Sequence, residues 1–194
     1  SRASRPAMPT CTSKWSAWEG ITTHCNGPAP ATLAGPLNSN VRRQVIQLTS
    51  FEARILEAFL RGSEKPLAIL REQAAAATVA SRKHTGVGAY TDFAVPESLP
   101  EVAPSEMIFG DVNAEVDGVE NGVAILLYVE KGYLSFLEFA TYLGEWPEDP
   151  KLSGLGYFRE EPMQPNGFSL IPVTDRDPQA VARALKGAHG QNAA

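Results

Sequence analysis

The sequence lacks the long hydrophobic run that a membrane-spanning helix requires. No apolar stretch approaches the roughly 18 residues needed to cross a bilayer, and no basic start with an apolar core predicts a signal peptide. Two cysteines occur among the 194 residues. Two cysteines do not make a disulfide framework, so the composition favours a cytoplasmic location. We therefore expect a soluble cytoplasmic protein that does not bind membranes.

Motifs for metal or phosphate binding are also missing. Cys11 and Cys25, with His24, lack a second closely spaced ligand pair. The chain contains no G-K-[ST] sequence, and Gly86 and Gly88 follow a predicted helix and precede a predicted strand. A phosphate-binding loop has the reverse order. We expect these glycines to end the helix and to let the backbone pass close to the sheet, and we expect no cofactor.

Signatures of nucleophilic catalysis are absent from the sequence. There is no G-x-S-x-G motif, and the cysteines lie in the N-terminal segment. His84 is predicted to end a helix, where a cation interacts well with the helix dipole. His189 lies in a polar tail. No catalytic residue is therefore predicted.

The net charge of -5 is unevenly distributed along the chain. Residues 1–48 carry five basic residues and one acidic residue, a balance of +4. Residues 97–161 carry fourteen acidic residues and three basic residues, a balance of -11. An acidic domain repels nucleic acid and attracts basic partners, although a well-solvated surface explains the same composition.

Composition divides the chain into three parts. Residues 1–47 are rich in Pro, Gly, Ser and Thr, which is typical of a flexible arm or of a segment added for expression. Residues 48–160 are predicted to form an α+β domain. Residues 161–194 are predicted to be a C-terminal extension with a short helix.

Two helices are predicted at the start of the domain. Thr49 and Glu52 have the spacing of a capping box, and an apolar stripe follows at helical spacing. Ser63 is a candidate cap for a second helix, in which Pro66 falls in the first turn. The alanine-rich run after it favours helix, so we predict that this helix continues to residues 82–84.

The chain then changes to strand periodicity. The segment "AYTDFAV" predicts a strand, and "MIFGDVNAEVDGV" alternates apolar and polar residues. Asn121-Gly122 is a strong hairpin signal, because both central residues of a type I′ turn need positive φ. Lys131-Gly132 predicts a further turn before "YLSFLEFATY". The fold class is therefore α+β, with two N-terminal helices packed on an antiparallel meander of about four strands.

The strand over 111–117 carries the candidate binding residues. Asp111, Glu115 and Asp117 are spaced by two or four, so they share one face of the strand. Three carboxylates on one face could bind a divalent metal, bind a partner, or simply face solvent. If Asn121-Gly122 is a two-residue turn, Asp117 lies opposite Leu126 and Glu115 lies opposite Tyr128. Tyr128 is therefore the fourth candidate.

The strand over 123–129 is apolar on both faces, which predicts a central strand that is covered on both sides. Two helices can cover only one face. The C-terminal segment, the N-terminal arm or a second subunit would then cover Ala124, Leu126 and Tyr128. The turn at Glu130-Lys131-Gly132 leaves the register of the next strand open.

Residues 48–150 resemble a group of small bacterial proteins for which no function is established. The segments that carry the resemblance are "LTSFEARIL", "ASRKHTGVGAYTDFAVP", "FGDVNAEVDGVENGVAILLYVEKGYLSFLEFATY" and "EWPE". The resemblance implies a compact α+β domain and supplies no catalytic residue.

We expect the protein to be a non-enzymatic protein-binding module, such as an immunity-type inhibitor or a regulatory subunit, with an acidic sheet surface that binds a basic protein. One alternative is a small metal-dependent hydrolase that uses Asp111, Glu115 and Asp117. The other is a homo-oligomeric structural protein, in which the uncovered sheet face forms a homodimer.

Overall fold

The computed structural model describes residues 46–164 and 167–187. These residues contain three helices and eight strands, within one compact unit. The helices are α1 (Ser50–Phe59), α2 (Lys65–Ala76) and α3 (Pro178–Ala184). The strands are β1 (Thr78–His84), β2 (Gly88–Ala94), β3 (Met107–Phe109), β4 (Val112–Val116), β5 (Val123–Glu130), β6 (Tyr133–Thr141), β7 (Leu152–Pro162) and β8 (Phe168–Val173).

The α+β class with antiparallel sheets is confirmed. The finer prediction of one meander of about four strands is wrong, because eight strands form two sheets. The helices are not all N-terminal, since α3, the short helix predicted in the C-terminal extension, follows the strands. One sheet has the order β1-β2-β6-β5-β3, and the other has the order β4-β7-β8. The boundary expected after residue 160 falls within β7, which continues to Pro162 and pairs with β8.

Helix α1 begins at the predicted capping box. The Thr49 hydroxyl accepts a hydrogen bond from the Glu52 N–H at 3.2 Å, and the Glu52 carboxylate accepts one from the Thr49 N–H at 2.7 Å. The apolar stripe of this helix is buried, including Ile55 and Phe59, neither of which is exposed to solvent. Local sequence therefore fixes both the start of α1 and the face that it buries.

Helix α2 is shorter than predicted. Its N-cap is Glu64 rather than Ser63, and it ends at Ala76. Residues 78–84 form β1, so the prediction that His84 ends a helix is wrong. Pairing with β2 and with the isolated bridge Ile46↔Val79 supplies β1 with backbone partners on both sides, and this outweighs the helix propensity of the alanine-rich run.

The predicted hairpin at Asn121-Gly122 is also wrong. Both residues have positive φ, 66° and 81°, as a type I′ turn would require. However, β4 pairs with β7 in the three-stranded sheet, and β5 pairs with β3 and β6 in the other. The turn signal is therefore present, but it joins strands of different sheets.

The second predicted turn does form a hairpin. Lys131 and Gly132 connect β5 to β6 with φ of 53° and 80°. The register shifts beyond this turn, because Tyr128 pairs with Phe136 whereas Val129 pairs with Leu134. Ser135 is thus the extra residue of a β-bulge. The bulge places both Leu134 and Leu137 in the core, which a regular strand would not allow.

Both sheets and all three helices contribute to one hydrophobic core. Gln73 of α2 is fully buried and links the helix to the β5–β6 hairpin. Its amide donates hydrogen bonds to the carbonyls of Pro100 and Gly132, and its carbonyl accepts the Leu134 N–H. Among the described residues, no helix is long and apolar enough to span a bilayer.

Candidate functional site

The four candidate residues do not form one cluster. Glu115 lies on the solvent-facing side of β4, and Asp117 follows the end of that strand; both are exposed. Glu115 pairs with Gly154 of β7, and not with Tyr128 as the predicted hairpin requires. Tyr128 lies in the other sheet, opposite Ile108 and Phe136.

Asp111 is buried beside an arginine. Its side chain is 9% exposed and accepts hydrogen bonds from Nε and Nη2 of Arg176, at 2.5 and 2.9 Å. Arg176 also donates to the carbonyls of Phe59 and Arg61, where α1 ends. Its guanidinium lies 5.7 Å from the ring centre of Tyr157. Arg176 thus joins Asp111 to the end of α1, and the charge of Asp111 is neutralised inside the protein.

Tyr128 belongs to a cluster on the outer face of the five-stranded sheet, the face opposite the core. We call this group the Glu138 cluster; it comprises Tyr90, Tyr128, Phe136 and Glu138. The Tyr90 hydroxyl donates to Oε1 of Glu138 at 2.7 Å, and the Tyr128 hydroxyl donates to Oε2 at 3.0 Å. The rings of Tyr128 and Phe136 are stacked, with centroids 4.2 Å apart.

The pKa values of both tyrosines are raised. Burial, followed by the hydrogen bond to Glu138, raises the pKa of Tyr128 to about 12. The hydrogen bond to Glu138 also raises the pKa of Tyr90. Both phenols are therefore protonated at neutral pH and remain hydrogen-bond donors. The Glu138 carboxylate is held at both oxygens as a result.

A groove borders the outer faces of the two sheets. One cavity of about 230 Å³ is lined by Leu126, Phe158 and Leu170. A second cavity of about 370 Å³ shares Phe158 and Leu170 and also contacts Glu115. Leu126 and Tyr128 lie on the same face of β5. We call these two cavities the outer groove; it extends from Leu126 of β5 to Glu115 of β4, and Tyr128 lines neither cavity.

A third cavity, of about 110 Å³, lies at the start of α1 and is lined by Glu52, Arg82 and Trp146. Glu52 accepts bonds from Arg82 Nε at 2.7 Å and from the Thr91 hydroxyl at 2.7 Å. Burial alone would raise the pKa of Glu52, but hydrogen bonds from Arg82, Thr49 and Thr91 outweigh burial and lower it to about 2. Glu52 is therefore a fixed anion that holds α1 on the sheet.

The loop at Gly86-Val87-Gly88 connects β1 to β2 and does not precede a helix. Its carbonyls accept hydrogen bonds from the N–H groups of Trp146 and Thr141. A Cβ at Gly88 would lie 2.1 Å from the Phe139 carbonyl oxygen. The predicted close passage of the backbone over the sheet is confirmed, and the predicted helix before it is replaced by β1.

Within residues 46–164 and 167–187, no group of three His, Cys, Asp or Glu side chains is close enough to hold a metal ion. In the metal-site hypothesis Asp111, Glu115 and Asp117 would converge, whereas Asp111 faces Arg176 and Glu115 is exposed. Cys11, Cys25, His24 and His189 lie outside the described residues.

Sequence reasoning missed Glu138, Tyr90 and Phe136. Phe136 and Glu138 are two residues apart in one strand, so the sequence indicates that they share a face. Whether that face is the core face or the outer face depends on the bulge at Ser135, which the sequence left open. Comparison of the chain with known protein families, with curated proteins and with solved structures gave no match.

Proposed function

We propose that this protein is a non-enzymatic binding module for a basic protein partner, of the kind formed by immunity-type inhibitors and regulatory subunits. The observation that carries the proposal is the outer groove. It combines aromatic and aliphatic side chains with acidic residues, and exposed apolar surface with a polar rim is typical of protein interaction sites.

Exposure along the groove supports this proposal. Leu170 is 41% exposed, and Phe168, next to it on the same face of β8, is 62% exposed. Tyr142 lines the cavity that contacts Glu115 and is 57% exposed. Large apolar side chains are usually buried, so three of them beside one groove favour a surface that a partner covers.

The charges around the groove favour a basic partner. Glu115 lines the groove, and the exposed Asp117 lies two residues further along the chain. Of the residues that the structure describes, Arg183 is the one cation that lines the two cavities, and it is paired with Glu160. Glu138 lies outside the groove, on the outer face of the five-stranded sheet. Complementary charge speeds the encounter of two proteins and disfavours acidic competitors.

The state of the buried carboxylates favours binding over catalysis. Glu52 and Asp111 are the two buried acidic residues of the described core, and each accepts two hydrogen bonds from an arginine. A general base near neutral pH needs a raised pKa, whereas the pKa of Glu52 is about 2. Glu52 is therefore not suited to take a proton from a substrate, and both carboxylate oxygens of Asp111 are occupied by Arg176.

Affinity capture with matched charge variants tests the proposal. The full chain serves as bait beside a variant with Glu115→Lys and Asp117→Lys. The control variant carries Glu57→Lys and Glu72→Lys, the same change of charge at exposed positions of α1 and α2. Thermal unfolding first establishes that all three proteins fold.

We expect a stoichiometric basic protein to bind the wild type and the helix variant, and to be lost from the Glu115/Asp117 variant. Equal capture by all three would show that this surface is not the binding site. No specific capture by the folded wild type would contradict the proposed function itself.

A further inference from the structure

Glu138 differs from the buried carboxylates in having no cationic partner within residues 46–164 and 167–187. Each of its oxygens accepts one hydrogen bond from a tyrosine hydroxyl. None of the salt bridges among the described residues involves Glu138, although the side chain is only partly exposed. An ionised carboxylate offers about four acceptor positions, so each oxygen retains a free one.

Glu52 shows how this protein completes such a site. Oε1 of Glu52 accepts hydrogen bonds from the Thr91 hydroxyl and from Nε of Arg82. Oε2 accepts hydrogen bonds from the Thr49 hydroxyl and from Nη2 of Arg82. Each carboxylate oxygen of Glu52 and each carboxylate oxygen of Glu138 thus accepts one hydrogen bond from a hydroxyl group. Glu52 additionally accepts the Thr49 backbone N–H and the guanidinium of Arg82, which spans both of its oxygens.

Arg176 shows a second feature that can stabilise a bound guanidinium, an aromatic surface. It pairs with Asp111 and lies over the rings of Phe109 and Tyr157, 5.9 and 5.7 Å from their centres. The Glu138 cluster offers comparable rings, because Tyr128 and Phe136 stack on the same face of the sheet. A guanidinium stacks well on aromatic faces.

We propose that the Glu138 cluster is a receptor for an arginine side chain of the partner protein. This inference rests on the proposed function, and it names one residue type that the partner presents. The planar fork of arginine can reach both carboxylate oxygens at once, whereas the ammonium of lysine is a point charge. The two tyrosine hydroxyls hold the carboxylate in place, so little order is lost on binding.

Peptide binding to the full chain tests the receptor. Fluorescein-labelled penta-arginine and penta-lysine are titrated with wild type, with Glu138→Gln and with Glu130→Gln. Glu130 is the matched control, because it lies on the same hairpin, bonds only the Ser135 hydroxyl and loses the same charge. Fluorescence anisotropy gives the dissociation constants.

We expect wild type to bind penta-arginine several-fold more tightly than penta-lysine. Glu138→Gln should raise the dissociation constant for penta-arginine by about tenfold, because a charge-assisted bidentate pair is lost. Glu130→Gln should raise it by about twofold or less. Should Glu138→Gln fail to fold, Tyr128→Phe replaces it. That variant keeps the ring and frees one carboxylate oxygen from its hydroxyl, and we expect weaker arginine binding.

If the two peptides bind with equal affinity, and both glutamine variants lose affinity equally, the binding is only general attraction to an acidic surface. That result would contradict the proposed arginine receptor. Absence of penta-arginine binding would overturn it as well. Neither result bears on capture of a partner through Glu115 and Asp117, so the receptor and the proposed function fail separately.

Discussion

At the scale of single residues, three carboxylates have different roles because of their neighbours. Glu52 and Asp111 are buried and bound by arginines of the same chain, and Arg176 also bonds the end of α1. Glu138 is bound only by tyrosine hydroxyls among the described residues. Breaking a buried ion pair by removing one partner leaves an uncompensated charge, so Glu52 and Asp111 are structural residues.

Glu52 should make stability depend on pH. Its pKa is about 2 in the folded protein, against 4.5 for an unperturbed glutamate, so the folded state binds its proton less readily than the unfolded state. The stabilisation is therefore complete above pH 4.5 and is lost as the pH falls towards 2. We expect Glu52→Gln to lower the unfolding free energy by about 3 kcal/mol near neutral pH.

Urea unfolding of wild type and Glu52→Gln at several pH values measures this difference. The difference in unfolding free energy between the two proteins should become smaller as the pH falls from 4.5 towards 2. Glu57→Gln is the control, because Glu57 is exposed on the same helix, and it should leave the pH dependence unchanged. A gap that stays constant over that range would contradict the role of the Glu52 charge.

At the scale of secondary structure elements, Gly88 determines how closely β2 approaches β6. A methyl group there would lie 2.1 Å from the Phe139 carbonyl oxygen, which is backbone and cannot move aside alone. We expect Gly88→Ala to lower the unfolding free energy by about 3 kcal/mol, since the two strands must separate. Gly86→Ala is the control, because only its φ of 87° is unfavourable and no atom lies within 4 Å of the added Cβ.

Gly86→Ala should lower the unfolding free energy by about 1 kcal/mol, which is the strain of an alanine in the left-handed region. Equilibrium unfolding in urea compares the two variants directly. If Gly88→Ala is no less stable than Gly86→Ala, the close approach of the strands does not constrain this position.

Local sequence signals predicted some of these elements well. The capping box at Thr49 and Glu52 places the start of α1. The short helix predicted in the C-terminal extension forms as α3, where Asp177 accepts a hydrogen bond from the Gln179 N–H. The Lys131-Gly132 turn forms the β5–β6 hairpin. In each case the residues that decide the structure are within a few positions of one another.

Strand pairing could not be predicted in this way. Asn121 and Gly122 adopt the expected positive φ, yet β4 pairs with β7, a partner that begins only at Leu152. The residues that compete for β4 are distant in sequence, so no local pattern selects between them. The Glu138 cluster was missed for the same reason, because Tyr90 and Glu138 meet only when β2 pairs with β6.

At the scale of the whole molecule, the outer groove raises the question of self-association. A two-fold symmetric dimer places the same patch of both chains in contact. The acidic residues of one chain would then approach those of the other, and like charges at a desolvated interface are strongly unfavourable. The apolar side chains favour association, whereas the charges favour a partner of opposite sign.

We therefore expect the full chain to be monomeric at micromolar concentration, with its outer groove open to a basic protein. Light scattering at low and high salt measures the mass. Salt screens exposed charges over about 8–10 Å, so any weak dimer should appear first at high salt. A stable dimer at low salt that Leu170→Lys converts to monomer would contradict this expectation and favour the homo-oligomer hypothesis, because Leu170 lies at the centre of the groove.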